Sequence, residues 1–101
     1  MAPAEALRQI KKAVHAGAWR PDPHLLKQIA RRRLALTDVV EAVSNAHRIE
    51  PHDMLPLNKS GVSWRVYGND TDERELGVGV ELVVDDQFVV ILTAFIKGKK
   101  P

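Results

Sequence analysis

The spacing of apolar residues changes once along this chain, and that change limits the folds open to it. Up to Val43 they recur every three or four positions, the period of an amphipathic helix, and from Val62 onward they alternate, the period of a strand. Leu7, Ile10 and Val14 lie between Pro3 and Gly17, which predicts a first helix opening at the proline and ending near the glycine. Pro23 opens a second helix. On a helix turning about 100° per residue, Leu25, Leu26, Ile29 and Ala30 share one arc, and His24, Lys27, Gln28 and Arg31 share the other. Arg33 falls inside the apolar arc, so this helix is expected to end around Arg32 or Arg33. Thr37 is the expected N-cap of a third, short helix burying Val39, Val40 and Val43.

Residues 47–61, HRIEPHDMLPLNKSG, hold two prolines and no sustained period, and read as one long loop. Beyond it Val62, Trp64 and Val66 alternate with Ser63, Arg65 and Tyr67, and GNDTDE supplies a turn. Leu76, Val78, Val80, Leu82 and Val84 make a longer strand backed by Glu75, Gly77, Gly79 and Glu81. After a turn at Asp85, Asp86 and Gln87, Phe88–Ile96 is the most apolar segment, expected as the central strand, interrupted only by Thr93. The expected class is α+β, with two to three N-terminal helices packed on a three-stranded or slightly larger antiparallel sheet. With 101 residues, 45% of them hydrophobic, the chain closes a single modest core over residues 1–101.

Several chemistries are set aside by residue type. The chain has no cysteine, hence no disulfide framework, thiolate metal site or thiol nucleophile, which fits a reducing compartment. His15, His24, His47 and His52 do not have the spacing of a zinc helix, and no metal or other cofactor is expected. No glycine-rich phosphate loop or nucleophile elbow is present, and Gly77 and Gly79 read as sites of close packing or twist. No stretch approaches the roughly 20 apolar residues of a membrane span, and MAPAEALRQIKK lacks an apolar run behind its basic residues. The expected location is the cytoplasm.

A net charge of +2 hides an uneven distribution: residues 1–33 carry eight Lys or Arg against two acids, and residues 34–101 carry seven against eleven. A basic first third is either a solvated helical surface or a surface for a polyanion, and charge alone does not separate the two. Cleavage of RNA is a reaction that such residues could perform without a cofactor, because the substrate brings its own nucleophile in the 2′-hydroxyl. The protein must remove that proton, stabilise charge on the pentacoordinate phosphate and protonate the departing 5′-oxygen. Histidine titrates near neutrality, and arginine presents a planar fork to phosphate oxygens. His24, Lys27 and Arg31, aligned along one helix face, fit that division of labour, with Tyr67 and the tryptophans available to stack bases and Trp64 expected in the core.

The segments ALRQIKKAVHAGAWR and VVDDQFVVILTAFIKGKK resemble the start and end of the motility quorum-sensing regulator (MqsR) toxins, which are RelE-like messenger-RNA interferases. The middle of the chain resembles a second group, small bacterial domains of unassigned function thought to be RelE-like. These carry His and Arg on the second helix, a Gly-x-Asp-x-Asp-x-Arg-x-Leu hairpin and a Thr in the last strand, matched here by His24, Arg32, GNDTDEREL and Thr93. The resemblance implies a RelE-like fold, metal-independent endoribonuclease activity, RNA as a partner and a cognate antitoxin protein. It places the catalytic lysine before a serine at Lys59, the polar residue after a tryptophan at Arg65, and the lysine ending the last strand at Lys97. With His24 and Thr93 these form the expected catalytic set, and Lys27, Arg31, Arg32 and Tyr67 the expected RNA contacts. The toxins' strand tyrosine falls near Gly77 or Val78, so its role would pass to His24 or Tyr67. Otherwise the chain would be a non-catalytic RNA-binding or regulatory module on the same fold.

Overall fold

A computed structural model of the chain describes residues 1–52 and 61–98. Three helices, α1 (Pro3–His15), α2 (Pro23–Arg31) and α3 (Leu36–Ser44), accompany five strands, β1 (Trp19–Pro21), β2 (Arg48–Pro51), β3 (Gly61–Asn69), β4 (Glu75–Val83) and β5 (Phe88–Ile96). The class is α+β as expected. The sheet has five strands where three or slightly more were expected, and it is mixed rather than wholly antiparallel: its order is β1-β5-β4-β3-β2, with β1 parallel to β5 and the other pairs antiparallel. No helix among the described residues is long and apolar enough to cross a membrane.

Three expectations about the elements need correction. The segment read as a loop from residue 47 begins with β2, which pairs with Trp64–Tyr67 of β3. Its proline sits at the end of an edge strand, where a missing N–H costs no ladder bond. The central strand is β4 rather than Phe88–Ile96; β5 is apolar but for Thr93, yet one of its neighbours is the three-residue β1 and the rest of that edge faces α2. Finally, α3 is capped at Ala35, whose N–H donates to the Asp38 carboxylate at 2.9 Å, so Thr37 lies inside the helix.

One face of the sheet carries Trp64, Val66, Val78, Val80 and Ile91 into a core completed by Ile10 and Val14 of α1, Leu25 and Ile29 of α2, and Val39 and Val43 of α3. The opposite face carries Arg65, Tyr67, Gly77, Gly79, Thr93 and Phe95. A β-bulge decides this division in β5: Gly79 opposes Thr93 while the next residue, Val80, opposes Ile91, so Leu92 is an extra residue. Val89 and Ile91 face the core before the bulge, and Ala94 faces it afterwards. Without the bulge, Thr93 would share a face with Ile91.

The GNDTDEREL segment is a structural staple. Gly68 belongs to β3, not to the turn, and lies against the backbone of α3. Asp70 is buried, its carboxylate accepting the N–H groups of Asp72 and Arg74, both at 2.9 Å, and the Arg74 Nε–H at 2.7 Å. Arg74 reaches on to Asp38 of α3 at 3.4 Å, tying the β3–β4 hairpin to the helix layer. Leu76 closes the segment in the core.

Burial pushes the Asp70 carboxyl up, but the backbone N–H and guanidinium of Arg74 and the N–H of Asp72 outweigh it and hold the group below its ordinary range. The unfolded chain therefore takes up this proton first. The stabilisation is complete above the ordinary carboxylate pKa of about 3.9 and is lost as pH falls through the lower folded-state value. Asp70→Asn is expected to lower the unfolding free energy by about 2 kcal/mol at neutral pH. Denaturant titrations should show the gap to wild type narrowing in acid; a gap unchanged on acidification would contradict this account.

Candidate functional site

Chain connectivity sets the position of α2. β1 forms only three pairs with β5, at Val89, Val90 and Ile91, and the Asp22 N–H then donates to the Ile91 carbonyl at 2.8 Å as the chain leaves the sheet. The Asp22 carboxylate accepts the His24 N–H at 3.0 Å and caps the helix, with Pro23 at its first position. His24 thus lies in the first turn of a helix that continues along the edge of β5 where β1 has stopped.

That edge presents the N–H and C=O of Ala94, which a buried strand cannot leave unpaired. Side chains of α2 satisfy both. The Ala94 N–H donates to Gln28 Oε1 at 3.0 Å, and Arg32 Nη1 donates to the Ala94 carbonyl at 2.5 Å. Gln28 Oε1 also accepts the Thr93 hydroxyl at 2.5 Å. Gln28 and Arg32 therefore complete the sheet edge and fix the orientation of α2 on it, burying Leu25 and Ile29 and leaving His24, Lys27 and Arg31 exposed.

His24, Lys27, Gln28, Arg31 and Arg32 line a pocket of about 200 Å³. Among the described residues, no carboxylate pairs with His24, Lys27 or Arg31. Thr93 joins this group through Gln28.

Arg65, Tyr67 and Lys97 belong to a second cluster farther across the sheet face that carries Thr93. Arg65 and Thr93 lie in register with Gly79 from opposite sides, so their strands are separated by one strand, about 10 Å at the usual interstrand spacing. Arg65 lies 3.7 Å from Glu50 and over the Phe95 ring, with its guanidinium carbon 5.6 Å from the centroid. The Tyr67 hydroxyl donates to Glu50 at 2.8 Å, and the Tyr67 ring lies beneath Arg48 at 4.1 Å and Lys97 at 5.4 Å. Lys97 pairs with Glu75 at 2.7 Å, and His47 approaches the same carboxylate at 3.2 Å. The Lys97 hydrogen bond, helped by the charges of Lys97, His47 and Arg48, holds the Glu75 carboxyl below its ordinary range against the opposing effect of burial.

The two strand glycines make this face possible. A Cβ on Gly77 would strike the Phe95 ring at 2.3 Å, and one on Gly79 would meet Thr93 Cγ2 at 2.5 Å and the His52 ring at 2.8 Å. Both are places of close packing, as expected from the sequence. His52, at the end of β2, is thereby placed over the strand between Arg65 and Thr93, a position its own segment does not reveal.

Of the residues singled out from sequence, His24, Lys27, Arg31 and Arg32 share one pocket, and Thr93 is bonded to it. Arg65, Tyr67 and Lys97 form the neighbouring cluster, each engaged with Glu50 or Glu75. Lys59 lies outside the described residues. Sequence reasoning missed the function of Gln28, although it placed the residue on the polar arc, and missed Glu50, Glu75, Arg48 and Phe95. Their partners are 17 or more residues away or on other strands, and no local pattern signals them. Among the described residues the one group of acids close enough to share a cation is Asp38, Asp70 and Asp72, which Arg74 occupies instead.

No curated protein and no solved structure matches the chain significantly. One family does match, over residues 22–96, a span that takes in α2, α3 and β2–β5 and leaves out α1 and β1. On that match, which covers most of the chain, the protein belongs to the family described as Domain of unknown function (DUF4258).

Proposed function

We propose that this protein is a metal-independent endoribonuclease of the RelE-like, MqsR-like toxin kind, acting in the cytoplasm and restrained by a cognate antitoxin protein. The observation that carries the reading is a pocket lined by His24, Lys27, Arg31 and Arg32, the first three without a carboxylate partner among the described residues, bonded through Gln28 to Thr93 on the sheet face away from the helix core. In this scheme His24 withdraws the proton from a 2′-hydroxyl. The 2′-oxygen attacks phosphorus, the bond from phosphorus to the 5′-oxygen breaks, the His24 imidazolium returns its proton to that oxygen, and the products are a 2′,3′-cyclic phosphate and a 5′-hydroxyl. Arg31 balances charge on the non-bridging oxygens, Arg65 and Lys97 from the sheet cluster add cationic charge farther along the strand, and the resemblance assigns Lys59 to charge stabilisation. Tyr67 already donates to Glu50, so its proton reaches a leaving oxygen only if that bond opens; His24 is therefore the better candidate for proton transfer.

A specific observation favours a second reading, a non-catalytic RNA-binding or regulatory module. Arg65, Lys97 and Tyr67 are each engaged with carboxylates, so the sheet cluster is internally neutralised where a nuclease would keep its cations for substrate. Incubating the purified protein with single-stranded RNA in the presence of a chelator separates the readings. A cyclic-phosphate terminus is expected. Salt-sensitive binding with the RNA left intact would replace the nuclease by the module.

A further inference from the structure

We infer that the Gln28 side-chain amide is a fixed hydrogen-bond donor in a pocket that takes a single phosphate group of a nucleotide strand. The orientation of this amide is settled by a backbone group. An N–H can only donate, so the atom that accepts from Ala94 at 3.0 Å must be the oxygen, and the Thr93 hydroxyl, sharing that oxygen, must donate as well. With its oxygen held by two donors, Gln28 has only the two N–H bonds of its nitrogen to offer the pocket it lines. Arg32 is held similarly, one nitrogen bonded to the Ala94 carbonyl and the remainder of the guanidinium without a partner among the described residues.

The other lining residues, His24, Lys27 and Arg31, add donors or positive charge, and the nearest acid along the helix, Asp22, accepts from the His24 N–H. Apart from one imidazole nitrogen of His24, the side chains of this wall donate and do not accept, which suits an oxyanion. At about 200 Å³ the pocket is smaller than the roughly 300–1,000 Å³ typical of sites for whole small ligands, so it holds a group rather than a molecule. Phosphate has acceptor oxygens on all sides and suits donors converging from a helix face and a sheet edge, whereas a planar carboxylate presents only two oxygens. Thr93 is then a positioning residue: it holds Gln28 and does not touch the ligand.

This inference rests on the nucleic-acid reading of α2 only for the choice of a nucleotide strand, and its test uses probes that cannot be cleaved. Isotope-labelled protein is titrated with orthophosphate, with a short oligodeoxythymidylate lacking 2′-hydroxyls, and with acetate. The Gln28 side-chain amide signals are expected to shift saturably with the first two and weakly with acetate. Gln28→Glu keeps an acceptor for Thr93 and Ala94 and so keeps α2 docked, but replaces the donor by a negative oxygen; oligodeoxythymidylate affinity should fall at least about tenfold. Thr93→Ala frees one of the two bonds holding the amide and should weaken binding less. Wild-type affinity in Gln28→Glu, unmoved Gln28 signals at saturation, or an acetate response equal to that of phosphate would each overturn the inference. If Gln28→Glu does not fold, the wild-type amide shifts decide alone. Phosphate binding without RNA cleavage would retain this site and remove the nuclease.

Discussion

Gly68→Ala is expected to destabilise the protein by about 3 kcal/mol or more, the upper range for forcing an extra carbon into a closed core. A Cβ at this position would lie 2.0 Å from the Ala42 carbonyl oxygen and 2.9 Å from both the Cα and the N of Ala46. All three are backbone atoms of α3 or its exit, so no side-chain rotation relieves the overlap, and the helix must move off β3. Gly68 is itself held between neighbours, pairing with Leu76 of β4, a buried core residue. At roughly 4–8 °C per kcal/mol for a domain of this size, the thermal midpoint should fall by about 12 °C or more. A calorimetric or circular dichroism melt checks this. A fall of only a few degrees would mean that α3 is not seated on β3 as described.

His24→Ala should reduce RNA cleavage by at least about 100-fold, the lower bound for losing a positioned general acid or base. The same variant should melt within a few degrees of wild type. The imidazole is exposed and makes no hydrogen bond or ion pair with the described residues, while the bond from the His24 N–H to Asp22 belongs to the backbone and survives substitution. Arg65→Ala should also lose activity, with a structural cost of its own, because Arg65 pairs with Glu50 and covers Phe95. The comparison of the two is therefore informative: a catalytic defect with intact stability at His24 points to chemistry at α2. Cleavage persisting in both variants would remove the assignments to His24 and Arg65.

Much of this molecule could be read from residue order, because the information lies within a few positions. Pro3 and Gly17 bracket α1, Pro23 opens α2, and the alternation of Trp64 and Val66 with Arg65 and Tyr67 picks out the helix-covered face, although Val62 is exposed and Tyr67 is buried on the other side. The cationic stripe of His24, Lys27 and Arg31 was legible for the same reason. The hairpin motif from Gly68 to Leu76 was visible as a pattern, but its meaning was not. Four of its residues, Gly68, Asp70, Arg74 and Leu76, turn out to pack, cap and pair, so a feature that suggested kinship carries the fold rather than the chemistry.

What only the tertiary structure decided involves contacts between distant segments. In β5 both alternating sets of side chains are apolar except for Thr93, so period alone gives no sign of the bulge at Leu92 that aims Thr93 and Phe95 away from the helix-covered face. The four residues of β2 lack a pattern long enough to read, and they become a strand because β3 offers a ladder to pair with. The role of Gln28 follows from the shortness of β1, which leaves the Ala94 N–H and carbonyl to be satisfied by whatever lies alongside. Local periodicity determined which faces are apolar and which are charged. The need to pair every buried backbone group determined which charged face meets which strand, and that requirement acts across 62 to 66 residues of sequence, beyond the reach of any local pattern.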